Sequence, residues 1–124
     1  MLTTTEMKAF VLRHFDDFVN RKDPTAADRN FASDFIDHDG PGHQTVGVAA
    51  DKQMMQGMYR QFPDLHVEID DIIAENDRVV CRNTWRGTDA MTGQRVVFTG
   101  IVIWRFANEK IVERWASLQP PKAG

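Results

Sequence analysis

No disulfide can brace this chain, because Cys81 is its only cysteine, and nothing in its cysteine usage calls for an oxidising compartment. An excess of either charge is also missing. The 15 basic and 18 acidic residues leave a formal net charge of −3, too small and of the wrong sign for a nucleic-acid footprint. Nucleic acid is therefore not expected as a partner. No apolar run approaches the roughly 18 residues that span a membrane, and MLTTTEMKAF has neither the basic nor the apolar part of a signal peptide. The expectation is a cytoplasmic protein without membrane contact. Internal repeats and low-complexity segments are absent too. What 124 residues do allow is one domain, residues 1–124, with a single core large enough to fold unaided.

The densest apolar stretch runs from Gly93 to Gln119, rich in β-branched and aromatic residues and free of proline until Pro120. It reads as two strands joined at Ala107-Asn108-Glu109-Lys110, where Asn takes the left-handed backbone at least cost. Beyond the turn, period two places Ile111, Glu113, Trp115 and Gln119 on one face and Val112, Arg114, Ala116 and Leu118 on the other. A glutamate thus stands among apolar neighbours.

Upstream, Thr3 and Glu6 have capping-box spacing, which predicts a helix running to Arg21. Met7, Phe10, Val11, His14 and Phe18 form its buried stripe. On that stripe His14 has two readings, a core histidine with a hydrogen-bond partner or a catalytic group. Asp23-Pro24 starts a short second helix reaching about Phe31, followed by an extended segment from Ser33 to Asp39 and the loop GPGHQTVG. Asp37, His38, Asp39 and His43 lack the spacing of a helical or ribbon metal site, so no metal is expected.

From Val48 to Phe62 the period is helical again, with Val48, Lys52, Met55, Tyr59 and Phe62 in one row, Met54 and Met58 beside it, and Pro63 as the stop. The methionines are either core filling or the adaptable wall of a pocket. Leu65 to Asp70 alternates as a half-buried strand, and Arg78 to Thr88 forms another with Val80, Arg82, Thr84 and Arg86 opposite Val79, Cys81, Asn83 and Trp85. Neither face is plainly polar, so helices should cover one and another layer or subunit the other. Helices first and strands after predict an α+β fold: a cone-shaped, curved antiparallel sheet with three N-terminal helical segments packed on its concave face. Such a cone can hold a small molecule.

Four segments, Phe35-Ile36-Asp37-His38-Asp39, Phe62-Pro63-Asp64-Leu65, Asp77-Arg78-Val79-Val80 leading to Gly87-Thr88, and Lys110-Ile111-Val112-Glu113-Arg114-Trp115, resemble in order and spacing the SnoaL-like polyketide cyclases. These belong to the nuclear transport factor 2-like superfamily, and the resemblance spans about Asp34 to Trp115. It implies an apolar pocket inside the cone, dimerisation through the sheet, and neither metal nor organic cofactor. It also implies an intramolecular aldol condensation in which an Asp after the final Trp removes a proton next to a carbonyl, with a His on the preceding strand nearby. Here those places hold Gln119 and Arg105, and Gly87-Thr88-Asp89 stands where Gly-Thr-His is frequent. An amide such as Gln119 can donate a hydrogen bond to an enolate oxygen but cannot take the proton.

The replacement candidates are drawn from the residues themselves. Glu113 is a base if it faces the cone entrance with Trp115, or a structural ion partner of Arg82 or Arg105 with its pKa held low. Asp37 and His38 form a second pair, the imidazole titrating and the carboxylate orienting it, or else plain strand-end polarity. Asp89 reads as a solvated turn residue. The expected pocket lining is His14, Met54, Met55, Met58, Tyr59, Phe62, Arg82, Trp85, Trp104 and Trp115. The expected function is cofactor-free acid/base chemistry on a small apolar carbonyl compound, by aldol cyclisation, isomerisation or a related lyase step, in a homodimer. The alternative is a non-catalytic ligand-binding or assembly module.

Overall fold

The structure, a computed structural model, describes all 124 residues. Helix α1 (Thr4–Phe15) begins as its capping box dictates: the Thr3 hydroxyl accepts from the Glu6 amide, and the Glu6 carboxylate accepts from the Thr3 amide. Met7, Val11, His14 and Phe15 are its buried face. The predicted extension toward Arg21 is present but continues as a π-helical turn, Asp16–Asn20. At its end the Asn20 side chain exchanges two hydrogen bonds with the Val67 backbone, fastening the helix to the sheet. Helix α2 (Thr25–Asn30) follows Asp23, whose carboxylate accepts from both the amide and the hydroxyl of Thr25. Helix α3 (Val48–Gln61) ends at Phe62, just before Pro63.

Six strands form one curved sheet: β1 (Phe31–Asp37), β2 (His66–Glu75), β3 (Arg78–Thr88), β4 (Arg95–Ala107), β5 (Lys110–Leu118) and the short β6 (Lys122–Ala123). The order is β1-β5-β4-β3-β2, with β6 on β4. β2 to β5 are the predicted antiparallel meander. Two backbones of positive φ, Asn108 and Glu109, close the β4–β5 turn. One expectation is corrected. β1 runs parallel to β5, so the sheet is mixed. Tight turns force antiparallel pairing only between strands they join, and about seventy residues separate β1 from β5, so their mutual sense is free of that rule.

Two bulges matter more than any strand boundary. In β2 the pairing passes from Ile69↔Asn83 to Asp71↔Arg82, and in β5 from Phe106↔Ile111 to Arg105↔Glu113, so Val112 is extra. Period two therefore resets inside β5. Ile111 is fully buried under the helices, and after Val112 the inward residues are Arg114 and Ala116, opposite Trp104 and Val102. The space between helices and sheet is filled chiefly by rings, with Phe31 stacked on Phe35 at 3.9 Å and Trp85 on Phe98 at 5.4 Å. Burying each such side chain is worth about 1.5–3 kcal/mol, so this layer carries much of the fold's stability. The outer face leaves Ile36, Ile73 and Ile101 exposed. No helix is long and apolar enough to cross a membrane.

Candidate active site

The charged and imidazole groups inside the cone come from four elements. β5 turns Arg114 inward past the bulge, and one guanidinium nitrogen donates to both Asp37 oxygens, at 3.0 and 2.9 Å. The same guanidinium lies 5.7 Å from the centre of the Trp104 ring. Asp37, at the end of β1, is wholly buried and is clamped by backbone bonds to Val46 and by its own acceptance from the Asp39 amide. The first turn of α3 supplies Asp51, only 3% exposed. Its Oδ1 has no hydrogen-bond partner.

Burial pushes the Asp51 carboxyl up to about 8, and a hydrogen bond to Asp37 and that residue's charge push the same way, against the weaker pull of Arg114. At neutral pH Asp51 therefore keeps its proton, beside the Asp37 carboxyl that Arg114 binds. His14 completes the polar set. Its Nδ1 accepts from the Asn30 side-chain amide at 2.9 Å, which leaves the ring proton on Nε2. Burial, followed by the charges of Arg114 and Arg29, lowers its pKa to about 3, so the ring stays neutral between Phe18 and Phe31.

Asp51, His14 and Arg114 border an inner cavity of about 30 Å³, walled otherwise by Phe15, Phe18, Val19, Phe31, Met54, Met55, Trp85 and Trp104. That is room for one or two waters. Outside it lies a vestibule of about 170 Å³, bounded by the loop from Asp39 to His43 and by Met54, Arg114, Ala116 and Leu118. Met54 and Arg114 belong to both spaces. A wider hollow of about 620 Å³ lies at the opposite end of β5, between the N-terminus and the two hairpin turns.

Several expected site residues lie elsewhere, and the β5 bulge is the main reason. Glu113 does share a face with Trp115, but it is the outer face. There Glu113 accepts from Arg105 and meets His38 at 2.7 Å, while His38 stacks on Trp115 at 4.9 Å. The hydrogen bond from His38, then that from Arg105, holds the Glu113 carboxyl below its usual range. Glu113, His38, Arg105 and Trp115 thus form an external network, with Arg78 over the Trp115 ring. Arg82 is also external, paired with Asp71 at 2.7 Å. Asp37 and His38, adjacent in sequence, point to opposite faces, so the imidazole is not oriented by that carboxylate. The Asp37–His43 segment gathers no metal-holding cluster. Gln119 is exposed, with its backbone N–H donating to the Thr99 carbonyl, and Asp89 caps its own turn by accepting from the Met91 backbone amide. Among the expected lining residues, Met58 packs beside the core, Tyr59 donates to the Phe18 carbonyl, and Phe62 is buried against Gly87. None of these three borders the inner cavity.

The family model of SnoaL-like polyketide cyclases matches residues 9–119. The chain belongs to the SnoaL-like polyketide cyclases. No curated protein matches it. Among solved structures, this SnoaL-like chain is similar to AclR from Streptomyces galilaeus, provisionally described as a hydroxylase, at 30% identity over 94% of this chain and 91% of that one, with a TM-score of 0.85. IdmH from Streptomyces antibioticus, provisionally described as a polyketide cyclase, is 22% identical over 90% of each chain, with a TM-score of 0.80. A polyketide cyclase, again a provisional description, from Acidithiobacillus ferrooxidans is 20% identical over 96% and 92%, also at 0.80. The last two likenesses speak for the fold alone.

In this SnoaL-like cone the two interior groups that sequence reasoning missed are Asp51 and Arg114. A signal for the first was present. That signal was ambiguous: Val48, Asp51, Met55, Met58 and Phe62 are spaced three and four apart, but so is the row through Lys52 and Tyr59, and spacing does not choose between them. Arg114 had no comparable signal, because only a bulge sends it inward.

Proposed function

We propose that this SnoaL-like protein is a cofactor-free acid/base catalyst acting on a small apolar carbonyl compound, and that Asp51 is its proton carrier. The observation that supports this is a carboxyl group 3% exposed, with one oxygen unpartnered, on the wall of a cavity it shares with a guanidinium. A base for a carbon acid works best with a pKa near the working pH, and burial brings Asp51 to about 8. In its ionised form Asp51 takes the proton from the carbon next to the carbonyl. Arg114, held rigid by Asp37, faces the oxygen on which negative charge develops. The protonated Asp51 then returns the proton, to the same carbon in an exchange, to another in an isomerisation, or to the new alkoxide in an aldol closure. The place of the family's aspartate, filled here by Gln119, is thus taken over by an acid from α3.

The test needs no knowledge of the natural substrate. Acetophenone in D₂O exchanges its methyl protons only through an enolate, and proton NMR follows the loss of signal. Exchange above the buffer rate should rise with pH through about 8, the ionisation of Asp51, and should vanish in Asp51→Asn. Equal rates in wild type and variant would remove Asp51 from the chemistry. The crowding of rings around a 30 Å³ cavity favours a second reading, a non-catalytic ligand-binding or assembly module, for which neither protein would exceed the buffer rate. We further propose a homodimer through the outer face of the sheet, because Ile36, Ile73 and Ile101 are exposed there.

A further inference from the structure

We propose that Met54 sets the size of the ligand and admits compounds built on one ring, excluding fused multi-ring bodies. This rests on the reading of the inner cavity as the reaction site.

The vestibule, about 170 Å³, is separated from the inner cavity by the only two residues that border both, Met54 and Arg114. Arg114 cannot swing aside, because two hydrogen bonds tie it to the buried Asp37 and a third reaches the Asp39 carbonyl. Met54 can. It is half-buried, and a thioether on three rotatable bonds repacks at little cost. It also follows Asp51 by three residues on α3, so the two side chains are neighbours on one face of the helix and border the same inner cavity.

Volume decides what fits. A cavity of about 150 Å³ accepts benzene, close to the vestibule here, whereas pockets for drug-sized ligands run to about 300–1,000 Å³. One ring against Pro41, Ala116 and Leu118 fills the vestibule, and its carbonyl passes Met54 to reach Arg114 and Asp51. A second fused ring on the inner side of the first meets the Gly40–His43 loop or the Ala116–Leu118 stretch of β5. The loop is tied by the Gly40 amide to the Gln44 carbonyl and by Val46 to Asp37, so neither wall yields as Met54 does.

The experiment is a binding series with acetophenone, 2-acetylnaphthalene and 2-acetylanthracene, each titrated by NMR against wild type, Met54→Ala and Met54→Trp. Apolar area alone favours the larger compounds, so a site that prefers the smallest is limited by shape. Wild type should bind acetophenone at least tenfold more tightly than 2-acetylanthracene. Met54→Ala should tighten 2-acetylnaphthalene at least tenfold, and Met54→Trp should weaken acetophenone by a similar factor. The inference is overturned by wild type that binds the three-ring compound as well as the one-ring compound, by an unchanged size order in Met54→Ala, or by no acetophenone binding to wild type. Repeating the series in Asp51→Asn separates the two readings. A size order that persists there, with or without exchange activity in wild type, upholds Met54. A size order absent beside Asp51-dependent exchange sinks Met54 alone.

Discussion

Asp51→Asn should change how the stability of this protein depends on pH, and by an amount that follows from one buried proton. Folding raises the Asp51 pKa from 3.8 to about 8. At ~1.4 kcal/mol per unit, the proton is worth on the order of 6 kcal/mol over that span. Above about pH 4 the unfolded chain has released it, while the native chain keeps it until about pH 8. Unfolding in that window therefore releases one proton, and stability falls by about 1.4 kcal/mol per pH unit. The contribution is complete below the unfolded value and gone once the pH has passed the folded one. His14 works in the opposite sense, because folding lowers its pKa from 6.5 to about 3, so its contribution is complete above 6.5 and lost as the pH falls through 3. The two slopes cancel up to about pH 6.5, and between there and pH 8 that of Asp51 stands alone.

An asparagine at position 51 keeps the shape and a donor toward Asp37 but cannot titrate. Urea unfolding of both proteins at constant salt, from pH 5 to pH 8, gives the two stability curves. The variant's stability relative to wild type should grow with pH by about 1.4 kcal/mol per unit. Parallel curves would mean that native Asp51 is already ionised, and the catalytic role would fall with it.

Other consequences are simpler to check. Glu113→Gln should leave acetophenone exchange at the wild-type rate, since Glu113 sits on the outer face between His38 and Arg105; a lost rate would restore it as the base. Cys81 is 1% exposed and burial pushes its thiol up to about 11, so a disulfide reagent at pH 8 should label it only after urea is added. Rapid labelling of the native protein would contradict its place in the core. Light scattering should give the mass of a dimer, reduced to a monomer by Ile101→Lys on the outer face, where Ile101 is 50% exposed. A concentration-independent monomer mass for wild type would refute that interface.

The legible part of the fold is the part written in short-range chemistry. Thr3 and Glu6 start α1, Asp23 marks the turn into α2, Pro63 stops α3, and the boundaries of β3 follow from its alternation between Asn76-Asp77 and the loop at Asp89. The four segments from Phe35 to Trp115 carry the family, and with it the curved sheet under helices. Each depends on residues a few positions apart, and such signals survive in one dimension.

What the sequence could not decide is which side of the sheet a strand residue faces once the alternation is interrupted. One unpaired residue, Val112, sends Glu113 and Trp115 outward and Arg114 inward, exchanging the expected base for a guanidinium. The bulge lies where β5 pairs on one side with β4 and on the other with the parallel β1, a strand far away in sequence. The pairing of Asp37 with Asp51 is of the same kind. Neither carboxyl is unusual on its own strand or helix; only their joint burial under one cover of rings, away from water, lifts a proton's affinity into the neutral range.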